Sequence, residues 1–342
     1  MYQHAEVVHW MKNKSSKKII PAHAEIYLTN LCNQDCFYCN SADFRKENKG
    51  VITFKDAENL INKLSTWRAH SPDSYGTLHS ISFVGGGEPT LFKGYEKLIE
   101  QSIDCGFLVN LITNGSKLEK MLDLVPIEKL QKLSFIGVDV DAGTKKLYEQ
   151  IRRSIPSKSL FDVVVKNARR AVSAGINVDI KMLITDLNDT SSAVEDMILL
   201  TKEIGARMLY IRPVILNGKI YPITEELQQI ISELSAKHSV KTRINLSRFI
   251  PRTYNRCHQM FQFITFAPDG KIYTCCDNSG NSRFELCSWV EGDFRNVWLG
   301  DRHQEIYNSI NTAFCQPCRP NKSNNTIQSM LNDPSLLETL KL

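Results

Sequence analysis

The chain has 342 residues of globular composition, 42% of them hydrophobic, which suits one large domain and a smaller one because single cores seldom grow past about 250–300 residues. Its formal charge of +5 is mild; Lys12, Lys14, Lys17 and Lys18 supply much of it and predict a solvated N-terminal arm over residues 1–20, and without a basic and aromatic stripe they argue against nucleic-acid binding. No apolar run approaches the roughly 18 residues of a membrane span and the N-terminus lacks the regions of a signal peptide, so a cytoplasmic protein without a membrane partner is expected, and its ten cysteines point to metal or redox chemistry more than to disulfides.

In chain order, the first strand-like run is 24–29. Directly after it come Cys32, Cys36 and Cys39 in Cys-Asn-Gln-Asp-Cys-Phe-Tyr-Cys. Three thiolates this close can hold three irons of a cubic cluster whose usual complement is four cysteines, leaving one iron open; a zinc knuckle is the plainer reading of the same spacing. Thr53 to Asp56 reads as a capping box opening a helix with Leu60, Ile61, Leu64 and Trp67 on one face. A second strand, 80–84, runs into Gly85-Gly86-Gly87-Glu88-Pro89. Glycines there let a ligand approach the backbone and Glu88 could accept hydrogen bonds from an ammonium, although a simple strand-to-helix turn has the same look.

Further strands are expected at 108–113, 133–140, 178–184 and 208–212, with helices at 95–105, 161–174 and 191–204 that stop at Gly106, Gly175 and Gly205. Six strands separated by helices imply an α/β fold with parallel pairing through right-handed crossovers. Lys181 and Arg212, on the fifth and sixth strands, are candidates to bind a polar substrate or act as a base, with a strand-end salt bridge as the ordinary alternative.

The cysteine triplet followed by the Gly-Gly-Glu segment resembles the radical S-adenosyl-L-methionine (SAM) enzymes, a resemblance that covers about residues 20–245. It implies a partial (β/α)6 barrel over 21–248 with its chemistry at the C-terminal strand ends. It also implies a 4Fe-4S cluster on Cys32, Cys36 and Cys39, with SAM on the open iron. Tyr38 would then lie near the adenine, and Gly85, Gly86, Gly87 and Glu88 at the methionine end. Asp139, where these enzymes often carry Ser-Leu-Asp-Gly, departs from the pattern and is a candidate for a ribose hydroxyl or a structural role. Arg152 is a candidate for the SAM carboxylate or an ion pair. The electron would come from a flavodoxin- or ferredoxin-type donor.

Beyond residue 250 the remaining cluster appears: Cys257, Cys275, Cys276, Cys287, Cys315 and Cys318. Pro268-Asp269-Gly270 between apolar runs predicts a hairpin that returns Cys275 toward Cys257. Cys315 and Cys318 add a chelating pair, so four thiolates can converge over 249–325, ahead of a helical tail at 326–342. Structural zinc is one reading. The other is a resemblance to the SPASM and twitch extensions, carried by Cys257, Gly270 and Cys275 and by residues 292–298 ahead of the closing Cys-x-x-Cys. With no cysteine after Cys318, that resemblance implies the twitch form with one auxiliary iron-sulfur cluster, a 4Fe-4S centre. Cys276 and Cys287 read as packing residues or, less readily, hydrogen-atom donors, and His258 as a bystander.

The resemblance implies reductive cleavage of SAM to methionine and a 5′-deoxyadenosyl radical, which abstracts hydrogen from an unreactive carbon. An auxiliary cluster would take the electron left on the substrate or ligate it. Only about 20 residues precede the first strand, too few for a winged-helix leader-binding domain, which favours oxidation of a small polar, carbohydrate-like metabolite over maturation of a ribosomal peptide. A zinc protein without catalysis is the reading from another class.

Overall fold

The structure is a computed structural model that describes residues 3–13, 17–47, 50, 52–70, 73–155, 158–216 and 219–337. Its contacts gather into two compact units. One comprises 1–28, 48–82 and 247–342, the other 29–47 and 83–246. The strands are β1 His23–Tyr27, β2 Ser80–Val84, β3 Leu108–Thr113, β4 Phe135–Asp139, β5 Val178–Ile184, β6 Met208–Pro213, β7 Ile215–Leu216, β8 Lys219–Ile220, β9 Thr242–Ile244, β10 Phe263–Phe266, β11 Lys271–Tyr273 and β12 Glu285–Ser288.

In the second unit the order is β3-β4-β5-β6-β9, all parallel. The expected alternation of strand and helix is present. Ile136, Val138, Ile180, Met182, Leu209 and Ile211 are buried, and the helices Phe161–Ser173 and Ser191–Ile204 bury Val164, Ala168, Met197 and Ile198. Thr190 caps the second of these helices, and Gly205, at φ +77°, ends it in the left-handed conformation that glycine adopts without strain. Strand β4 is shorter than expected at both ends. Leu133 N still donates to Leu130 O in the turn that closes the helix Ile127–Leu130, and Asp141, at φ +66°, breaks the extended run.

In the first unit β1 pairs parallel with β10, and β10, β11 and β12 follow as an antiparallel meander. The Asp269-Gly270 hairpin forms as expected, with Gly270 at φ +80° and Lys271 N donating to Asp269 Oδ1. Residues 4–13 correct the expectation of a solvated arm: His4–Asn13 is a helix whose Val7 and Val8 are fully buried, and Trp10 packs on Phe261 at 4.9 Å between ring centroids. Burying that apolar side outweighs the helix's modest local propensity; Lys14 lies outside the described residues. The C-terminal helix begins at Asn321, ahead of the expected tail at 326, and residues 338–342 also lie outside the described residues. Among the described residues no helix is long and apolar enough to cross a membrane.

The helix Phe54–Ala69 carries the expected capping box, with Thr53 Oγ1 accepting from Asp56 N and Asp56 Oδ2 accepting from Thr53 N. Its buried Trp67 meets Trp298 and Phe294 edge-on, each at 5.6 Å. Thr53→Ala removes one half of the box and is expected to cost about 1 kcal/mol, read as a lower urea midpoint with an unchanged denaturant slope.

Candidate active site

The cysteine triplet lies on a loop that the surrounding backbone holds from two sides. On one side Gly87 N donates to Thr29 O and Glu88 N to Leu31 O. A Cβ on Gly87 would sit 2.3 Å from Leu31 O, and one on Gly86 would sit 2.8 Å from Asn30 Oδ1. The close approach that demands glycine here is therefore to the cysteine loop itself. On the other side Asp35 N donates to Arg153 O and Ile155 N to Asn33 O. Asn33 also bonds Ser116 and Asn114 through its side chain, at 2.9 Å each.

Cys32, Cys36 and Cys39 are half-buried and free of disulfides. Burial pushes the Cys36 thiol up to about 12, and that of Cys32 up as well. Bare thiols there stay protonated, and a bound soft cation is what would release the proton. Arg45 donates from Nη1 to Cys39 Sγ at 3.6 Å while its Nε holds Asn30 O at 3.1 Å. A cationic donor on a sulfur is the kind of outer contact that suits a metal-bound thiolate. Three soft sulfurs with such a donor fit an iron-sulfur cluster bound by three cysteines.

Glu88 is 3% exposed and is held by four neighbouring donors. Its Oε1 accepts from Thr90 N, Thr90 Oγ1 and Thr113 Oγ1 at 3.0, 2.6 and 2.5 Å, and its Oε2 from Asn114 N at 2.7 Å. Burial raises its pKa and those four donors pull it back. Oε2, with a single partner, is the oxygen that retains capacity for an ammonium.

Arg152, 6% exposed, sits at the centre of a buried network. Nε and Nη2 donate to Gln34 Oε1 at 3.0 and 2.8 Å, and Nη1 donates to Tyr38 OH at 2.9 Å and to Asp141 Oδ2 at 2.7 Å. Tyr38 OH in turn donates to Asp141. Asp141 is fully buried and its Oδ1 takes Leu183 N at 2.7 Å. Gln34 donates to Tyr148 OH at 2.6 Å. In this structure the guanidinium joins the cysteine loop to the end of β4, with one Nη2 hydrogen left for another partner. Asp141, Gln34, Thr113 and Asn114 join the site beyond the residues expected from the sequence, where the second aspartate of Asp-Val-Asp is the available signal.

Asp139, Lys181, Tyr210 and Arg243 stand opposite one another in a single row across β4, β5, β6 and β9. Arg212 lies two residues along β6 from Tyr210 and so shares its face.

In the other unit Cys257, Cys275, Cys315 and Cys318 are half-buried. Burial pushes the Cys257 thiol up to about 12, with further contributions from Cys318 and Cys315. Asn324 is fully buried; it accepts from Gln259 N at 2.8 Å and donates to Cys257 Sγ at 3.6 Å, and Asn278 donates to Cys275 Sγ at 3.2 Å. Arg252 clamps the Cys-x-x-Cys turn through Cys315 O and Gln316 O. Arg319 bonds Asp277 and both oxygens of Glu25, tying the residue after Cys318 to the one after Cys276. Amide donors on two sulfurs suit thiolates of a cluster. Among the described residues no three His, Cys, Asp or Glu side chains are grouped around a point that one ion would occupy; in a cubic cluster each thiolate meets its own iron. Cys276 and Cys287 are half-buried, and His258 is 3% exposed and bonded to Gln328 and Tyr307.

The model of the radical SAM superfamily matches residues 26–200, about half of the chain. An S-adenosylmethionine-dependent nucleotide dehydratase of Selenomonas ruminantium is 28% identical over 185 residues, 52% of this chain and 61% of that protein, so the chain spans less than two thirds of that relative. A probable GTP 3′,8-cyclase of Saccharolobus islandicus is 26% identical over 231 residues, 66% of this chain and 68% of the other. Among solved structures, Streptococcus suis SuiB bound to precursor peptide SuiA superposes with a TM-score of 0.64 at 16% identity, over 89% of this chain and 69% of that one. Native anSMEcpe with bound AdoMet gives 0.60 at 16%, over 93% and 99%. At such identities the likeness is one of fold.

Proposed function

We infer the function from one premise: the chain belongs to the radical SAM superfamily. Membership brings SAM and the 4Fe-4S cluster that binds it. Cys32, Cys36 and Cys39 are proposed to hold that cluster, which when bound would supply the electron for splitting SAM into methionine and a 5′-deoxyadenosyl radical able to take hydrogen from an unreactive carbon. The observation that carries the assignment is the direct pairing of the cysteine loop with the Gly-Gly-Gly-Glu segment through Gly87 N and Glu88 N.

The remaining work falls to this chain's own side chains. Glu88, held rigid by Thr90, Thr113 and Asn114, accepts the methionine ammonium at Oε2. Gly85, Gly86 and Gly87 bring that carboxylate beside the cysteines. Tyr38 closes the adenine side, Arg152 and Asp141 position the loop, and Asp139 and the free Nη2 hydrogen of Arg152 are available to the ribose and carboxylate of SAM. Cys257, Cys275, Cys315 and Cys318 are proposed to hold one auxiliary iron-sulfur cluster, with Asn278 and Asn324 donating to its thiolates; such a cluster would accept the one electron that a substrate radical gives up on oxidation. A flavodoxin- or ferredoxin-type protein is the proposed source of the first electron.

The proposed substrate is a small polar metabolite, with Lys181 and Arg212 binding it. The curated relatives support a small molecule, since their names place a nucleotide and GTP in the corresponding enzymes. The test is 5′-deoxyadenosine release by the anaerobically reconstituted chain given SAM, reductant and host extract split by size. Stimulation by the small-molecule fraction is expected; stimulation by the macromolecular fraction alone would overturn the metabolite reading.

A further inference from the structure

We propose that the face shared by the ends of β5, β6 and β9 is an anion site that takes a phosphate group of the substrate, so that the radical chemistry inferred above, on which this rests, acts on a phosphorylated metabolite. The sheet's two faces differ in kind. Ile180, Met182, Leu209 and Ile211 fill one and are fully buried. The other carries Lys181 and Leu183 on β5, Tyr210 and Arg212 on β6, and Arg243 on β9. Register sets Lys181 opposite Tyr210, Tyr210 opposite Arg243 and Leu183 opposite Arg212.

Charge on this face is balanced at one end and unbalanced at the other. At the N-terminal end of β5, Asp179 takes Arg207 through two bonds, 2.8 Å from Nε and 2.7 Å from Nη2. At the C-terminal end Arg212 and Arg243 make no ion pair among the described residues. Both guanidinium carbons instead lie 5.9 Å from the Tyr210 ring centroid, and the Tyr210 hydroxyl accepts from Asn245. Two like charges thus border one ring, an arrangement that Coulomb repulsion disfavours and that an anion bound on this face would relieve. Lys181 extends its stem over Gly137, where a Cβ would be 3.0 Å from its Cδ. Arg212 and Arg243 together supply two positive charges, which matches a phosphate monoester of about −1.5 to −2 with its three acceptor oxygens.

The same face adjoins the chemistry. Val140 N and Asp141 N both donate to Lys181 O, at 3.1 and 3.2 Å, and Leu183 N donates to Asp141, which also holds Arg152 and Tyr38 of the cysteine loop network. A phosphate held by the two arginines leaves the rest of a small substrate within reach of that network.

The test is calorimetric titration of the anaerobically reconstituted full chain with two matched pairs, uridine monophosphate against uridine and glucose 6-phosphate against glucose. The phosphorylated member of at least one pair is expected to bind tenfold or more tightly than its partner, and the pair that responds separates a nucleotide from a sugar phosphate. Arg212→Gln and Arg243→Gln should each weaken that binding about tenfold, the effect of losing one charged hydrogen bond. Arg212→Lys, which keeps the charge and loses the fork, should fall between. Equal binding within both pairs, or phosphate binding indifferent to both glutamine variants at an unchanged melting temperature, would overturn the site. SAM cleavage is measured on the same preparation. Phosphate preference without any 5′-deoxyadenosine would sink the radical reading and leave the anion site standing; cleavage without phosphate preference would do the reverse.

Discussion

Serine in place of Cys32, Cys36 or Cys39 is expected to abolish 5′-deoxyadenosine formation and to lower iron by about four atoms per chain. The hydroxyl is a poor substitute because iron in these clusters selects soft thiolates, and two such ligands cannot hold what three are needed to hold. Serine at Cys257 or Cys318 is expected to remove iron of the auxiliary site and to spare the reductive cleavage of SAM. Iron analysis and product chromatography on the same samples check both halves. Iron unchanged in the Cys36→Ser protein would remove Cys36 from the ligand set.

Asp141→Ala is expected to produce the largest loss of stability of any single change at the site, about 3–5 kcal/mol, because it strands a buried guanidinium. The Arg152–Asp141 pair is 2.7 Å apart, with side chains 7% and 0% exposed, so solvent screens it little. Asp141 also caps Leu183 N and occupies a left-handed backbone position at φ +66°. Asp141→Asn retains the side chain's shape, and asparagine tolerates that backbone region; it should cost less than alanine and still lower the urea midpoint. A loss under about 1 kcal/mol for alanine, the level of an exposed pair, would show that the network does not anchor the loop. Cluster retention should fall in parallel, since Arg152 and Gln34 tie the loop in place.

The residues that were legible in the sequence carry their signal locally. Three cysteines within eight positions, Thr53 with Asp56, and Asp269-Gly270 between apolar runs each specify a structure from their neighbours alone. Strands β2, β3 and β5 have the expected ends for the same reason, being apolar runs bounded by turn residues. The N-terminal helix is not legible locally because Lys12 and, beyond the helix, Lys14, Lys17 and Lys18 dominate the pattern of residues 1–20, whereas Val7 and Val8 are buried by tertiary packing. Gly86 and Gly87 were legible as a close approach but not as to what, since the partner, Thr29 to Leu31, is more than 50 residues away in sequence.

Asp141 escaped because its importance arises from a positive φ beyond the strand end, which an aspartate does not advertise as glycine would. Asn278 and Asn324 escaped because an amide on a sulfur is a contact between distant segments. The pairing of Arg243 with Tyr210 depends on the parallel register of β6 and β9, which no short-range pattern encodes.

The central claim is that this chain cleaves SAM by one-electron reduction at the Cys32, Cys36 and Cys39 site. The most direct measurement is 5′-deoxyadenosine and methionine produced by the anaerobically reconstituted chain with SAM and a low-potential reductant. The account predicts both products in equal amounts, dependent on reductant and absent from the Cys36→Ser protein. No 5′-deoxyadenosine from protein whose iron and spectrum show an intact three-cysteine cluster would contradict it.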